Sequence, residues 1–282
     1  MNRIILISPI LTVTALVFAV QGRINLQDKA GNMEVRGGTS FIIEAIENSS
    51  KVKFIGKGNP IVAEWKKDGM LVESQNLEAI ADRPAVGRYN VESAILQGAV
   101  HAKQKTNAQL VEIWSNDANY TASNETWDLN GNVRVEQSDS VKGTSSKMSG
   151  TKGTIVLYAR GEKTSPRGRI KTANVTGPVT FEVHSKRMVQ VSSNPPKSEL
   201  KPTVVTGKAD RMDFDNVQGT VTLTGNVFIS GDDPVVPGDM EATKATVFLD
   251  ETGGVKRIEL EGEPGVTRLK RPAKGKRGGE AR

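Results

Sequence analysis

The stretch TVTLTGNVFISG, residues 220 to 231, carries the pattern that decides the fold. Apolar residues such as Leu223, Val227 and Ile229 alternate with small or polar residues. This period of two is typical of a β-strand with one buried face. A glycine, Gly225, occupies the central position of the apolar series, where it weakens the strand because it supplies no side chain for packing. We therefore expect this glycine to have a packing role or a functional role.

The same pattern recurs along the chain. Segments 93–103, 126–137 and 172–183 each contain a glycine with an apolar residue two positions before it and a valine two positions after it. These three glycines and Gly225 are 33, 46 and 48 residues apart. The alternation predicts a shared apolar face, which in this series consists of Leu96, Val100, Leu129, Val133, Val175, Val179, Phe181, Leu223, Gly225, Val227 and Ile229.

The alternation continues through most of the chain beyond residue 30, with turn residues between the segments. It predicts an all-β protein in which antiparallel strands follow one another as a meander. The longest interruption is SSNPPKSELKP, residues 192–202, whose three prolines remove backbone donors. This segment is interpreted either as a boundary between two sub-domains or as a long loop within one sheet.

The two ends of the chain differ from the middle. Residues 4–20 carry no charge, so residues 1–22 are interpreted as a signal peptide or as a helical membrane anchor. Either interpretation predicts export from the cytoplasm. Residues 268–282 contain seven Lys or Arg and one Glu, which accounts for the whole net charge of +6. We interpret them as a basic, disordered tail, and we expect no nucleic-acid partner because no basic face is visible elsewhere.

Groups that could perform catalysis or hold a metal are scarce in the sequence. The chain has no cysteine, and its two histidines, His101 and His184, lie in predicted strands without a nucleophile motif nearby. Asp232 and Asp233 are followed by a proline and are interpreted as a turn, since the alternating ligands of a calcium loop are missing. The sequence thus predicts no enzyme, no catalytic residue, no metal site and no cofactor.

Two strands carry the sequence GNV, in LNGNVRV (129–135) and LTGNVFI (223–229), and each follows a strand with Ala and Asp in SNDANY or GKADRMDFD. This repetition resembles the OstA-like family of the lipopolysaccharide transport machinery, over roughly residues 70 to 267. The resemblance implies a twisted, open antiparallel β-jelly roll over residues 23–267, behind the N-terminal apolar helix. It also implies a periplasmic protein, either soluble after signal cleavage or tethered to the inner membrane by residues 4–20.

The resemblance further implies that the apolar interior carries lipopolysaccharide, or a similar acylated lipid, toward the outer membrane. The expected protein partners are homologous jelly-roll domains, joined by edge-strand pairing, and an inner-membrane transporter complex. In this interpretation Gly225 forms the floor of a lipid furrow, Leu223 and Val227 face the lipid, and Asn226 faces away.

Two alternatives to lipid binding remain open at this stage. The first is a structural β-solenoid scaffold, although the unequal spacing of the glycines disfavours stacked coils of constant length. The second is a cell-envelope carbohydrate-binding module, for which Trp65, Trp114, Tyr120 and Trp127 are the candidate aromatic platforms. Cross-strand packing is the simpler explanation for Trp114 and Trp127.

Overall fold

The computed structural model describes residues 24–27, 33–66, 69–85, 88–106, 108–159, 161–193, 196–236, 238–262 and 266–269. These residues form fifteen β-strands and a 3-10 helix at Ala122–Asn124, and they contain no α-helix. The strands are β1 Ile24–Gln27, β2 Met33–Gly37, β3 Ser40–Ala45, β4 Lys51–Trp65, β5 Met70–Ala85, β6 Arg88–Thr106, β7 Gln109–Thr121, β8 Thr126–Asp139, β9 Thr144–Leu157, β10 Ile170–Ser193, β11 Pro196–Asp215, β12 Thr220–Gly231, β13 Gly238–Leu249, β14 Val255–Glu261 and β15 Val266–Leu269.

The strands form one antiparallel sheet. From β4 to β13 each strand pairs with the strands that precede and follow it in the sequence. At one end β2 and β3 both pair with β4, and at the other end β14 and β15 both pair with β13. No ladder joins the two ends within the described residues, so the sheet is open. The expected all-β fold with an open antiparallel sheet is confirmed.

A line of β-bulges crosses the middle of the sheet. In β6, β8, β10 and β12 two residues oppose a single residue of the following strand, so each of these ladders shifts its register there. A bulge adds a residue to one strand and bends it. The bulged pairs are Gly98–Ala99, Gly131–Asn132, Gly177–Pro178 and Gly225–Asn226.

The bulge explains Gly225. Its φ is +75° and that of Asn226 is +46°, in the left-handed region that glycine adopts without a steric cost. A Cβ on Gly225 would overlap the carboxylate of Asp210 in β11, an exposed side chain that also accepts a hydrogen bond from Asn226 Nδ2 at 2.9 Å. The expectation that Gly225 is the floor of the furrow is therefore wrong, because the bulge interrupts the alternation and directs the glycine toward the outer face. A Cβ on Gly98 would likewise overlap the side chain of Gln75. The corresponding overlaps are with Asn116 for Gly131 and with Thr151 for Gly177.

The sheet folds back on itself along the line of bulges. Gln137 lies opposite Ser146 in β9, and Ile170 lies opposite Leu157 at the other end of β9. A straight strand from Ser146 to Leu157 would span about 36 Å. The Gln137 side chain nevertheless accepts hydrogen bonds from the backbone N–H groups of Arg169 and Ile170, at 3.0 and 3.2 Å. The two segments of β9 must therefore face each other.

We call the two facing parts of the sheet layer A and layer B. Layer A contains the strand segments on the side of the bulges that includes Leu129 and Leu223, and layer B contains those that include Val133 and Val227. The inward faces of both layers form one apolar core. Most outward positions carry polar or charged side chains, as expected for a sheet with one buried face.

Several expectations fall at the limits of the described residues. The apolar segment 1–22 lies outside them, as do residues 270–282 of the basic tail, whereas Arg268 and Leu269 belong to β15. Residues 192–202 include the end of β10 and the start of β11, which pair with each other as one hairpin of the same sheet. No helix in the described part of the chain is long and apolar enough to cross a membrane.

Candidate functional site

The residues predicted to line the apolar face lie mainly beside the bulges, where the core is closed. Nine of them are buried: Leu96, Val100, Leu129, Val133, Val175, Val179, Leu223, Val227 and Ile229. Phe181 and Gly225 are half-buried. The structure thus brings the apolar members together on one inward surface, but it fills the space between most of them with other side chains.

An apolar cavity lies farther from the bulges, between layers A and B of strands β9 to β14. The space between the side chains amounts to about 1040 Å³ when the part that is open solvent is included. Within the described residues, Phe181 is the one member of the predicted apolar face that lines the cavity. The other apolar lining side chains are Met148, Val183 and Val205 from layer B, and Ile170, Met212, Phe214, Val221, Val247, Leu249 and Val255 from layer A.

The segment between β9 and β10, residues 158–169, contributes Pro166, Arg167 and Gly168 to the cavity lining. Arg167 holds this segment against layer A, because its Nε donates to Asn216 Oδ1 at 3.0 Å and its Nη2 donates to the Asn216 carbonyl at 2.5 Å. Asn216 is fully buried and donates in turn to the carbonyls of Gly168 and Ile170. The segment also reaches layer B, where Gln137 donates to the Arg167 carbonyl at 2.9 Å.

A second connection between the layers consists of Arg187, Asp233 and Asp250, which we call the arginine clamp. Arg187 lies in β10 of layer B, and its Nε is 3.1 Å from Asp233 Oδ2 in the turn before β13. Its Nη1 is 2.8 Å from Asp250 Oδ2, in the turn that follows β13 in layer A. The Arg187 guanidinium also donates to the carbonyl of Val255, a residue that lines the cavity. The clamp therefore fixes the spacing of the two layers beside the cavity.

The two carboxylates of the arginine clamp are held by further hydrogen bonds. The Asp233 side chain has no solvent exposure and accepts from the Val235 N–H at 2.9 Å. Burial acts to raise the pKa of Asp250, but hydrogen bonds from Thr252 and Gly254 and the charge of Arg187 outweigh it, so this pKa lies below its usual value. Asp250 consequently stays ionised, and paired with Arg187, down to acidic pH.

Polar side chains also line the cavity. Ser145, Ser146 and Lys147 of β9, His184 of β10 and Asp139 belong to its lining, and Lys147 and His184 are exposed. These side chains come from the outer ends of the strands, while the apolar residues come from farther inside. The arrangement suits a molecule with an apolar part inside the protein and a polar part at the surface.

The aromatic and acidic residues singled out in the sequence take part in the packing of the sheet. Trp114 is covered on both faces, by the ring of His101 at 4.8 Å and by the guanidinium of Arg134 at 4.6 Å. Trp127 and Tyr120 are buried against each other, with ring centroids 4.7 Å apart. The described residues contain no cluster of three or more side chains suited to hold a metal ion.

Sequence reasoning missed most of the cavity and all of the arginine clamp. Met212, Phe214 and Val247 have the same alternation as the closed core, so nothing in their local sequence marks the space beside them. For the segment between β9 and β10, which contributes Pro166, Arg167 and Gly168 to the cavity lining, the one available signal in the sequence was its length. No known family profile matches this chain, and no curated protein matches it.

Proposed function

We propose that this protein binds and transfers lipid in the cell envelope, and that it holds the acyl chains of lipopolysaccharide, or of a similar acylated lipid, between layers A and B. The observation that carries this proposal is the apolar cavity of about 1040 Å³ under residues 158–169. Its lining combines aliphatic and aromatic side chains with a smaller number of polar ones.

The energetics of chain burial support this function. Each buried methylene contributes about 0.8 kcal/mol, so a segment of about ten methylenes would gain roughly 8 kcal/mol before the cost of ordering it. The lining side chains form no directional contacts with a hydrocarbon, so a bound chain can move along the cavity. A carrier needs both properties, because it must shield the chain from water and later release it.

The open sheet supports the more detailed architecture that the resemblance implies, an elongated β-jelly roll in the periplasm. Among the described residues β1 pairs with β2 alone, and β14 and β15 pair with β13 alone, so both ends of this part of the sheet keep strand edges that no described strand covers. Exposed edges favour strand addition. A homologous jelly-roll domain, or the jelly-roll component of an inner-membrane transporter complex, could extend the sheet and its cavity by this route.

The packing disfavours both alternatives. A carbohydrate-binding module needs exposed aromatic faces, and Trp114, Tyr120 and Trp127 are covered by neighbouring side chains. A solenoid of stacked coils has parallel ladders, whereas every described pairing between named strands here is antiparallel. Lipid binding requires neither feature.

Native mass spectrometry of the protein purified from its own cells tests the proposal. We expect adducts whose fragments include fatty acids. Val247→Asp places a carboxylate in the cavity, where no partner offsets its loss of hydration, and should remove the adducts. Ile95→Asp is the matched control, since Ile95 is an exposed aliphatic residue on a strand of the same sheet.

The proposal fails if the folded wild-type protein carries no lipid. It also fails if Val247→Asp, with an unchanged circular dichroism spectrum, retains the same adducts as Ile95→Asp. Loss of lipid from both variants would place the binding site on the outside of the sheet.

A further inference from the structure

Three exposed apolar side chains lie at one end of layer B. Val141 is 83% exposed in the turn between β8 and β9, and Met188 and Leu200 are 64% and 60% exposed in β10 and β11. Met188 and Leu200 are directly opposite each other in the β10–β11 ladder. The turn that contains Val141 is adjacent, since Gly143 lies against the Lys186 side chain. We call Val141, Met188 and Leu200 the apolar tip.

Two members of the apolar tip, Met188 and Leu200, lie on a part of the molecule that extends beyond the neighbouring strands. The ladder between β9 and β10 ends at His184, and the ladder between β11 and β12 begins at Val205. From Arg187 and Lys201 onward, β10 and β11 pair with each other alone in the described residues, as far as Ser193 and Pro196. A two-stranded ribbon therefore projects from the end of layer B, and a flat surface could contact it together with the adjacent turn that contains Val141.

Positive charge accompanies the apolar tip. Residues 186–202 contain four Lys or Arg and one Glu, in a chain whose remainder up to residue 267 carries a net negative charge. The side chains of Lys186 and Lys201 are exposed, and both lie between the Met188–Leu200 pair and the rest of the sheet. Lys186 is on the same strand face as Met188, whereas Lys201, which is opposite Arg187, is on the other face. Arg187 is different, because the arginine clamp holds its guanidinium. The ribbon thus combines exposed apolar groups with exposed lysines.

We propose that this ribbon docks on a bilayer that contains anionic lipid, with the apolar tip inserted at the interface and Lys186 and Lys201 on the headgroups. Three side chains are too few for a protein interface, which buries about 800 Å² on each partner. They suffice for shallow insertion, to which each lysine near an anionic surface adds attraction. Asp139 and Ser145, which line the apolar cavity, lie at the same end of layer B, so docking would bring this part of the cavity toward the lipid.

A fluorescent label tests the docking surface in the full chain. Because the sequence has no cysteine, Met188→Cys provides a single site for the environment-sensitive dye NBD. We expect its emission to rise several-fold and shift to the blue when vesicles containing phosphatidylglycerol are added, and to change little with phosphatidylcholine alone. The dye reports its own surroundings, so attachment of other parts of the chain to the vesicle does not affect the result.

Val217→Cys is the matched control, because Val217 is 65% exposed in the turn between β11 and β12, at the tip of layer A. Its label should remain in water. Lys186→Glu with Lys201→Glu should abolish the response at position 188. The proposal is overturned if the label at 188 does not respond, if 188 and 217 respond equally, or if the charge reversal has no effect. A response that needs no vesicles and grows with protein concentration would assign the surface to a second copy of the chain instead.

Discussion

Arg187 Nη1 lies 2.8 Å from Asp250 Oδ2, and this ion pair joins layer B to layer A beside the cavity. Removal of the guanidinium also leaves the carboxylate of Asp233 buried without its cation. We expect Arg187→Met to lower the free energy of unfolding by about 2–3 kcal/mol, as measured in urea, because unpaired buried charges are costly. Arg211→Met is the control, since Arg211 forms an exposed, solvent-screened pair with Asp213 and its loss should be much smaller. Equal losses in both variants would contradict a structural role for the clamp.

The low pKa of Asp250 predicts how the clamp responds to acid. A carboxylate whose pKa is lower in the folded protein than in the unfolded chain stabilises the fold above the unfolded pKa, about 4. That contribution is lost as the pH falls through the folded pKa. The difference in unfolding free energy between wild type and Asp250→Asn should therefore be constant from neutral pH to about 4 and shrink below it. Urea titrations across this range measure it, and a difference that vanished near neutral pH would refute the assignment.

The bulge at Gly225 predicts a loss of stability on substitution. Gly225→Ala must place a Cβ at φ +75° and against the Asp210 carboxylate. Gly161 has nearly the same φ, +76°, but nothing within 4 Å of its would-be Cβ. We expect Gly161→Ala to cost about 1 kcal/mol from the backbone alone and Gly225→Ala about 2–3 kcal/mol. Equal costs in urea unfolding would mean that Asp210 moves aside freely.

The strands and their pairing could be predicted from alternation, because inward residues such as Leu223 and Val227 are buried as the pattern requires. The bulge could not be predicted in this way, since the alternation assumes that each residue of one strand faces one residue of the neighbouring strand. Two signals were nevertheless present. Asn follows glycine at positions 132 and 226, and it tolerates positive φ. The preceding strands carry two consecutive outward polar residues, as at Gln75–Asn76 and Asp210–Arg211, where strict alternation would place one inward.

The cavity depends on the distance between the layers, which is not a property of any one strand. Phe214 and Val221 would be predicted as core from their alternation, and they do face inward. Whether space remains beside them depends on the contacts of Arg167 and Arg187 with residues from 46 to 68 positions away. Long-range contacts of this kind leave no local pattern in the sequence.

The open edges predict association. The backbone of β14 and β15 pairs with β13 alone in the described part of the chain, so we expect end-to-end assembly that increases with concentration. Val266→Pro removes a backbone donor from β15 and should weaken assembly without changing the circular dichroism spectrum. Light scattering over a concentration series checks this. A strict monomer at every concentration, with no binding to any jelly-roll protein, would argue against edge pairing.

Photo-crosslinking in living cells tests the central claim, that acyl chains lie between the two layers. Met212 lines the cavity, and the adjacent residue Arg211 points to solvent on the same strand. A photoreactive amino acid at position 212 should capture an acylated lipid, detected by mass spectrometry of the adduct, and the same amino acid at position 211 should not. Adducts of equal yield at both positions, or none at position 212 in a folded protein, would contradict lipid binding in the cavity.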